Sequence, residues 1–496
     1  MARMLSTSHV YHPSNCRACV EHQKFPSAAD LRITDPPAAP PLTSMNSLRR
    51  ARWKAHLTST PYRSIPLQRR NAHHPAPSEP QDIPSTKPRN LTTTLKSAIH
   101  LTGPISVAAY MRQCLTSDLG GYYSSSTLPN GIIGSDGDFV TSPELTSVFG
   151  ELLGIWFVAV WMTQARPNKI DFVELGPGKG TLINDVLGTV ARFPLGNSVE
   201  RAWLVEASPT LRRVQAEVLT RGIEEIGDGV WEGVSRQLPN VKVRWVEDLR
   251  FVERTAATPF VLAHEFFDAL PIHVFQAGRR KDDKGGRDAS HEWREMLVSP
   301  TRPGSGDEFE LTLSKTATPH SSYLPTTSER YTALRNTPGA TIEVSPESQR
   351  IVGDLAAWIG KAGAGAALIV DYGPDDTIPC NSLRGIRNHK MVSPFRDPGT
   401  TDISADVDFL ALAETAKKGG KVNVLGPVTQ ARFLLEMGLR ERVEQVLRMG
   451  DPDRKVEKAC KRLVDLGPNG MGKLYKFMAI MPQSERQSMV GFGGEL

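Results

Sequence analysis

Residues 174–181 read Glu-Leu-Gly-Pro-Gly-Lys-Gly-Thr, directly after the apolar stretch Ile170–Val173. Glycine lets a backbone turn sharply and approach a ligand closely. A helix opening behind the loop would add amides and a partial positive charge. Two nucleotide motifs fail on spacing. A P-loop needs its lysine after the last glycine, whereas Lys179 precedes Gly180; a dinucleotide fingerprint needs a glycine where Thr181 stands. What remains is E-x-G-x-G-x-G, formed by Glu174, Gly176, Gly178 and Gly180. A second acid, Glu206, ends the run AWLVE at a position where a carboxylate would accept hydrogen bonds from ribose hydroxyls. Asp248 follows the next β-branched run and is the candidate for contact with a base. Further on, LAHEFFDALP (262–271) carries His264, Glu265 and Asp268, and Asp138 lies in a glycine-rich loop. Carboxylates grouped in this way can grip and polarise a cation, and a histidine beside them can relay a proton.

The elements that must position these residues alternate. Asp171–Leu175, Ala202–Glu206, Val241–Val246 and Phe260–His264 read as strands; Thr181–Phe193 and Pro209–Arg221 read as helices. This alternation predicts βαβ units and a mostly parallel sheet. Ala366–Asp371 is a further strand after a helix at 346–361, and Lys473–Met481 a late strand whose direction, parallel or antiparallel, stays open. Thr141 and Glu144 have capping-box spacing before the most apolar run, Val148–Met162. That run is shorter than the ~20 residues a bilayer needs, so it reads as a buried amphipathic helix. Glu292–Val298 and Glu308–Leu313 read as a hairpin within an edge insertion, and 427–466 as helical. Asp402–Ala416 also looks helical; Asp402, Asp406 and Asp408 then form a solvated face rather than a metal site.

The chain has 496 residues, 39% of them hydrophobic, and a formal net charge of +5. Residues 1–90 hold 13 Lys/Arg against 5 Asp/Glu, so they carry +8 and the remainder −3. A mildly acidic body argues against nucleic acid as partner. The segment Pro36–Ser78 has no acidic residue and seven Lys/Arg, the composition of a mitochondrial transit peptide, with Met45 a possible initiator. Cys16 and Cys19 form one CxxC without the second pair a zinc ribbon needs. The expected organisation is a leader at 1–95, a helical segment at 96–165, a core at 166–276, an insertion with a hairpin at 277–340, the completion of the core at 341–482 and a polar tail at 483–496.

The E-x-G-x-G-x-G loop resembles that of the Rossmann-like methyltransferases that use S-adenosyl-L-methionine. With GDFVTSPE (137–144), VFGELLGIW (148–156), ALIVDYG (367–373), LRGIRNHK (383–390), DISADVDF (402–409) and LGPVTQARFLLEMG (425–438), the chain resembles one family over roughly residues 100–480. It is the MidA-like family of mitochondrial protein arginine methyltransferases, assembly factors of respiratory complex I. The resemblance implies an α/β Rossmann-like sheet and S-adenosyl-L-methionine as cofactor. It also implies a location in the mitochondrial matrix, with symmetric dimethylarginine formed on a 49-kDa-type subunit of complex I. No metal is required by this chemistry, and no membrane insertion is expected. Glu265 is the first choice for gripping a guanidinium, with His264, Asp268 and Asp138 beside it. A non-catalytic, cofactor-binding assembly chaperone stays open as the alternative. The tetrapeptide [DN]-P-P-[FYW] of base methylation is absent; HEFF (264–267) stands in its place.

Overall fold

The computed structural model describes residues 90–124, 141–227, 229–279, 291–302, 304–451, 453–468, 470–484 and 488–494. The expected leader, the Cys16–Cys19 pair and Asp138 lie outside them, apart from 90–95. There α1 (Leu91–Thr102) begins, followed by α2 (Val107–Thr116) and α3 (Ser147–Thr163). Then come β1 (Ile170–Leu175), α4 (Thr181–Val190), β2 (Val199–Val205), α5 (Pro209–Leu219), the pair β3 (Thr220–Gly227) and β4 (Val230–Ser235), β5 (Lys242–Val246) and β6 (Thr258–His264). Strands β7 (His273–Arg279), β8 (His291–Pro300), β9 (Phe309–Leu313) and β10 (Thr341–Val344) precede α6 (Pro346–Ala362) and β11 (Ala366–Tyr372). The chain continues through β12 (Arg384–Arg387), β13 (Lys390–Val392), β14 (Asp402–Ser404), α7 (Phe409–Gly419) and β15 (Val422–Thr429). It closes with α8 (Gln430–Glu436), α9 (Leu439–Gly450), α10 (Lys455–Leu463) and β16 (Tyr475–Pro482).

Nine strands form the main sheet in the order β15-β16-β11-β6-β1-β2-β5-β4-β3. β11, β6, β1, β2 and β5 are parallel neighbours, and β16 runs antiparallel between β11 and β15. The period-2 alternation of side chains divides the strands between two cores. Phe172, Leu204, Phe260 and Leu368 face one core with α3 and α4, while Val173, Val205, Val261 and Ile369 face the other with α6 and α7. Because both faces are covered, β1 is buried at every position, as a strand between helical layers must be. Helix α3 is buried on nearly all sides rather than along one stripe. No helix among the described residues is long and apolar enough to cross a membrane.

Several local expectations give way to other partners. Thr141 makes no side-chain cap; Thr146 caps α3 instead, and Glu144 accepts a hydrogen bond from the Thr181 hydroxyl at 2.8 Å. The hairpin β8–β9 forms, but it joins β7, β10 and residues 105–106 in a separate antiparallel sheet. The stretch 402–416 is not one helix. Asp402 opens β14, Asp406 pairs with Arg384, and Asp408 caps α7 while it binds Arg330 and Tyr331. With Tyr123 donating to Asp402, each acid of that row is pinned by a partner distant in sequence. Residues 265–270, considered as a helix, are a turn, so Glu265 and Asp268 do not share a helical face.

Candidate active site

The carboxyl ends of β1, β2, β5, β6 and β11 reach the same edge of the sheet, where ligands of such folds bind. A cavity of about 310 Å³ opens there. Its lining includes Glu174, Gly176, Gly178, Glu206, Asp248, His264, Glu265 and Asp268. Gly180 does not line it. It caps α4 in the left-handed conformation, φ +83°, with its N–H bonded to the Pro177 carbonyl. Gly176 (φ +63°) and Gly178 (φ +54°) are left-handed too, a region that side chains disfavour. A Cβ on Gly176 would meet the Phe266 ring at 2.9 Å.

The loop is held from behind by Gln215, which the sequence reading overlooked. Its amide donates to the Gly178 carbonyl (2.7 Å) and to Glu206 (3.0 Å), and its oxygen accepts from the Trp245 indole (2.9 Å). Its place on α5, nine residues past Glu206, was the available signal. Glu206 also accepts from the Ser208 N–H at 2.8 Å. Burial nevertheless pushes its carboxyl up to about 7, against those hydrogen bonds. Glu174 is buried with Oε2 unpartnered, and burial raises it to about 8. Asp248 caps the turn after β5 and pairs with Arg250.

At the end of β6 the chain turns left-handed at Glu265 itself, φ +50°. The turn is fixed by Asp371 at the end of β11, whose Oδ2 accepts the N–H groups of Phe266, Phe267 and Asp268 at 3.2, 2.8 and 3.3 Å. Tyr475 on β16 donates to Glu265 Oε1 at 2.6 Å, and its hydroxyl lies 2.6 Å from that of Tyr372. Burial, then the charges of Asp268 and Asp402, push Glu265 up to about 8, while the tyrosine hydroxyls pull it down. Burial also raises Asp268, with Arg384 opposing. His264, pushed down to about 3 by burial, is a neutral ring; its Nε2 has no hydrogen-bond partner and lies 3.6 Å from Glu265 Oε1. One further cluster, away from this cavity, joins β7 to β8: His273 Nδ1 is 2.8 Å from Glu295 Oε1, with His320 beside them.

Strand order, glycine loop and acid-lined cavity together define a Rossmann-like methyltransferase. Residues 152–428 match the family of S-adenosyl-L-methionine-dependent methyltransferases. The protein named "Protein arginine methyltransferase NDUFAF7, mitochondrial" is 37% identical in Danio rerio over 399 residues, covering 79% of this chain and 87% of that one. Its Homo sapiens counterpart is 35% identical over 433 residues, covering 86% and 90%. A solved Burkholderia thailandensis structure bound to S-adenosyl-homocysteine superposes with a TM-score of 0.59 at 25% identity, covering 82% of this chain and 93% of that one. The chain belongs to this methyltransferase family, in the group of the mitochondrial protein arginine methyltransferases. Its cofactor is S-adenosyl-L-methionine. The cavity suits that molecule: two left-handed glycines put bare backbone at its wall, and a buried Glu174 oxygen lacks a hydrogen-bond partner.

Proposed function

We propose that this methyltransferase modifies an arginine on a protein substrate, the 49-kDa-type subunit of respiratory complex I. The product is symmetric dimethylarginine, and the setting is complex I assembly in the mitochondrial matrix. The names of the relatives support the arginine and the organelle. The observation that carries the chemistry is Glu265, a buried carboxyl held by Tyr475 in the same cavity as the glycine loop. S-adenosyl-L-methionine, when bound, supplies an electrophilic methyl group on sulfur.

In this reading Glu174, the backbone of 176–178, Glu206 and Asp248 hold the cofactor, and Gly180 starts the helix that shapes the loop. The remaining task is to align and activate a guanidinium, which is a poor nucleophile because it stays protonated. Glu265 accepts its N–H groups, concentrates electron density on the attacking nitrogen and takes the proton released by transfer. His264 is too weak a base for that role and serves as a neutral wall. Asp268 adds negative charge to the pocket. Asp138 is assigned to closure over the bound ligands.

The test is to incubate the protein with labelled S-adenosyl-L-methionine and mitochondrial extract from cells depleted of it. Labelled symmetric dimethylarginine on one complex I subunit is expected. Cofactor binding without any label on that subunit would favour the non-catalytic chaperone.

A further inference from the structure

The cluster that joins β7 to β8 lies apart from the cavity, and none of its three residues lines it. In the antiparallel register Glu295 of β8 stands opposite Phe275 of β7. His273 is two residues along β7, so it projects from the same face of the sheet as Glu295 and within its reach. His273 Nδ1 is 2.8 Å from Glu295 Oε1. His320 arrives from a third element, the short helical turn Pro319–Tyr323, and places its own Nδ1 3.5 Å from the same oxygen. One candidate ligand atom from each of the three residues lies within 4.8 Å of the other two. Thr318 fixes the arrangement from two sides. Its hydroxyl donates to the other carboxylate oxygen, Oε2, and accepts the Ser321 N–H at 3.0 Å, which caps the turn that carries His320. Glu295 is 1% exposed and His273 7%, whereas the His320 side chain is 52% exposed.

We infer that His273, Glu295 and His320 form a binding site for a divalent transition-metal cation, with zinc the best fit. Two imidazole nitrogens and one carboxylate oxygen are donors that zinc accepts in tetrahedral sites. Bonds of about 2.0–2.2 Å set such donors roughly 3.3 Å apart, and the two distances to Glu295 Oε1 straddle that value. Magnesium and calcium take oxygen donors, so an imidazole pair selects against them. A buried carboxylate needs a counter-charge. Among the described residues, Glu295 forms ion pairs with these two histidines and with no lysine or arginine. A cation among the three supplies that charge while both rings stay neutral. Thr318 then does what an outer partner of a metal site does, holding the ligand carboxylate in one orientation. The exposed side of His320 leaves the fourth position to water. The bound ion ties the turn after β9 to the pair β7–β8. No step of methyl transfer runs through it, and the inference stands independently of the arginine specificity.

The test uses full-length wild type, His320→Ala and Glu295→Gln, each stripped with a chelator and titrated with zinc chloride alone. Calorimetry gives the number of bound ions and their affinities, and X-ray absorption at the zinc edge gives the donor atoms. Wild type is expected to bind one zinc more than His320→Ala, through nitrogen and oxygen donors. Zinc should raise the melting temperature of wild type and leave that of His320→Ala where it was. Glu295→Gln should lose more affinity than the roughly 10- to 100-fold that removal of an outer partner costs. His320 is the exposed member, so its replacement decides the matter should Glu295→Gln not fold. Equal zinc stoichiometry and affinity in wild type and His320→Ala overturns the site. Zinc held by sulfur donors alone also overturns it, because the ion would then sit on cysteines.

Discussion

Glu265 combines two costs that a structural residue rarely carries together: a left-handed backbone, φ +50°, and a buried carboxyl raised to about 8. Each is disfavoured, and their coincidence at the end of a strand facing a cavity is characteristic of a working group. Replacement by glutamine keeps shape and removes charge. Glu265→Gln is expected to bind S-adenosyl-homocysteine normally and to lose transfer by a factor of a hundred or more; a turnover assay with unchanged rate would remove Glu265 from the mechanism. Its pKa also sets a pH dependence. The ionised form is the active one, so kcat/KM of the wild type should rise about tenfold per pH unit up to about 8 and level off above it. At the other end of the cavity, Gly178 is left-handed and its carbonyl is tied to Gln215. Gly178→Val combines backbone strain with added bulk at a residue that lines the cavity. Calorimetry should show cofactor binding abolished, and normal affinity would refute the loop assignment.

The elements show why some of the site was readable from the sequence and some was not. The run IDFVEL followed by three spaced glycines has both the apolar continuity of a central strand and a loop chemistry that few other contexts require, so Glu174 and Gly176 could be found directly. The late strand of 473–481 was legible from its apolar run and appears as β16. By contrast, β3 (TRGIEEIG) is an exposed edge strand without alternation, and periodicity had nothing to register. Asp402–Ala416 reads as helical, but its acids Asp402, Asp406 and Asp408 each answer a distant arginine or tyrosine that local pattern does not encode. The same dependence on a neighbour governs α3. A Cβ on Gly150 would meet the Asp185 Cβ of α4 at 2.5 Å. Alanine in a helix normally gains about 1 kcal/mol over glycine, but overpacking here should outweigh it. Gly150→Ala is expected to destabilise the protein by about 1–3 kcal/mol in a urea titration.

Across the whole molecule buried acids accumulate, most of them at the site. Glu174 and Glu265 are raised to about 8 and Glu206 to about 7, as is Glu343 on β10 outside the cavity, all chiefly by burial. In the unfolded chain these groups titrate near 4.3. Between that value and 8 the native state binds protons that the unfolded state has released, so their contribution to stability is present below about 4.3 and is lost as pH rises through 7 and 8. The ligand-free protein should therefore have a lower urea midpoint at pH 8.5 than at pH 6, and the difference should shrink in Glu174→Gln. Equal pH dependence in the two proteins would contradict the burial of that carboxyl. The sheet order has a consequence for how the molecule comes into being. β15 touches the sheet only through β16, and β16 also brings Tyr475 to Glu265. A ribosome makes Val422–Thr429 well before Tyr475–Pro482. Until that last strand threads between its two neighbours, Glu265 has no Tyr475 to hold it, so birth and competence are separated in time.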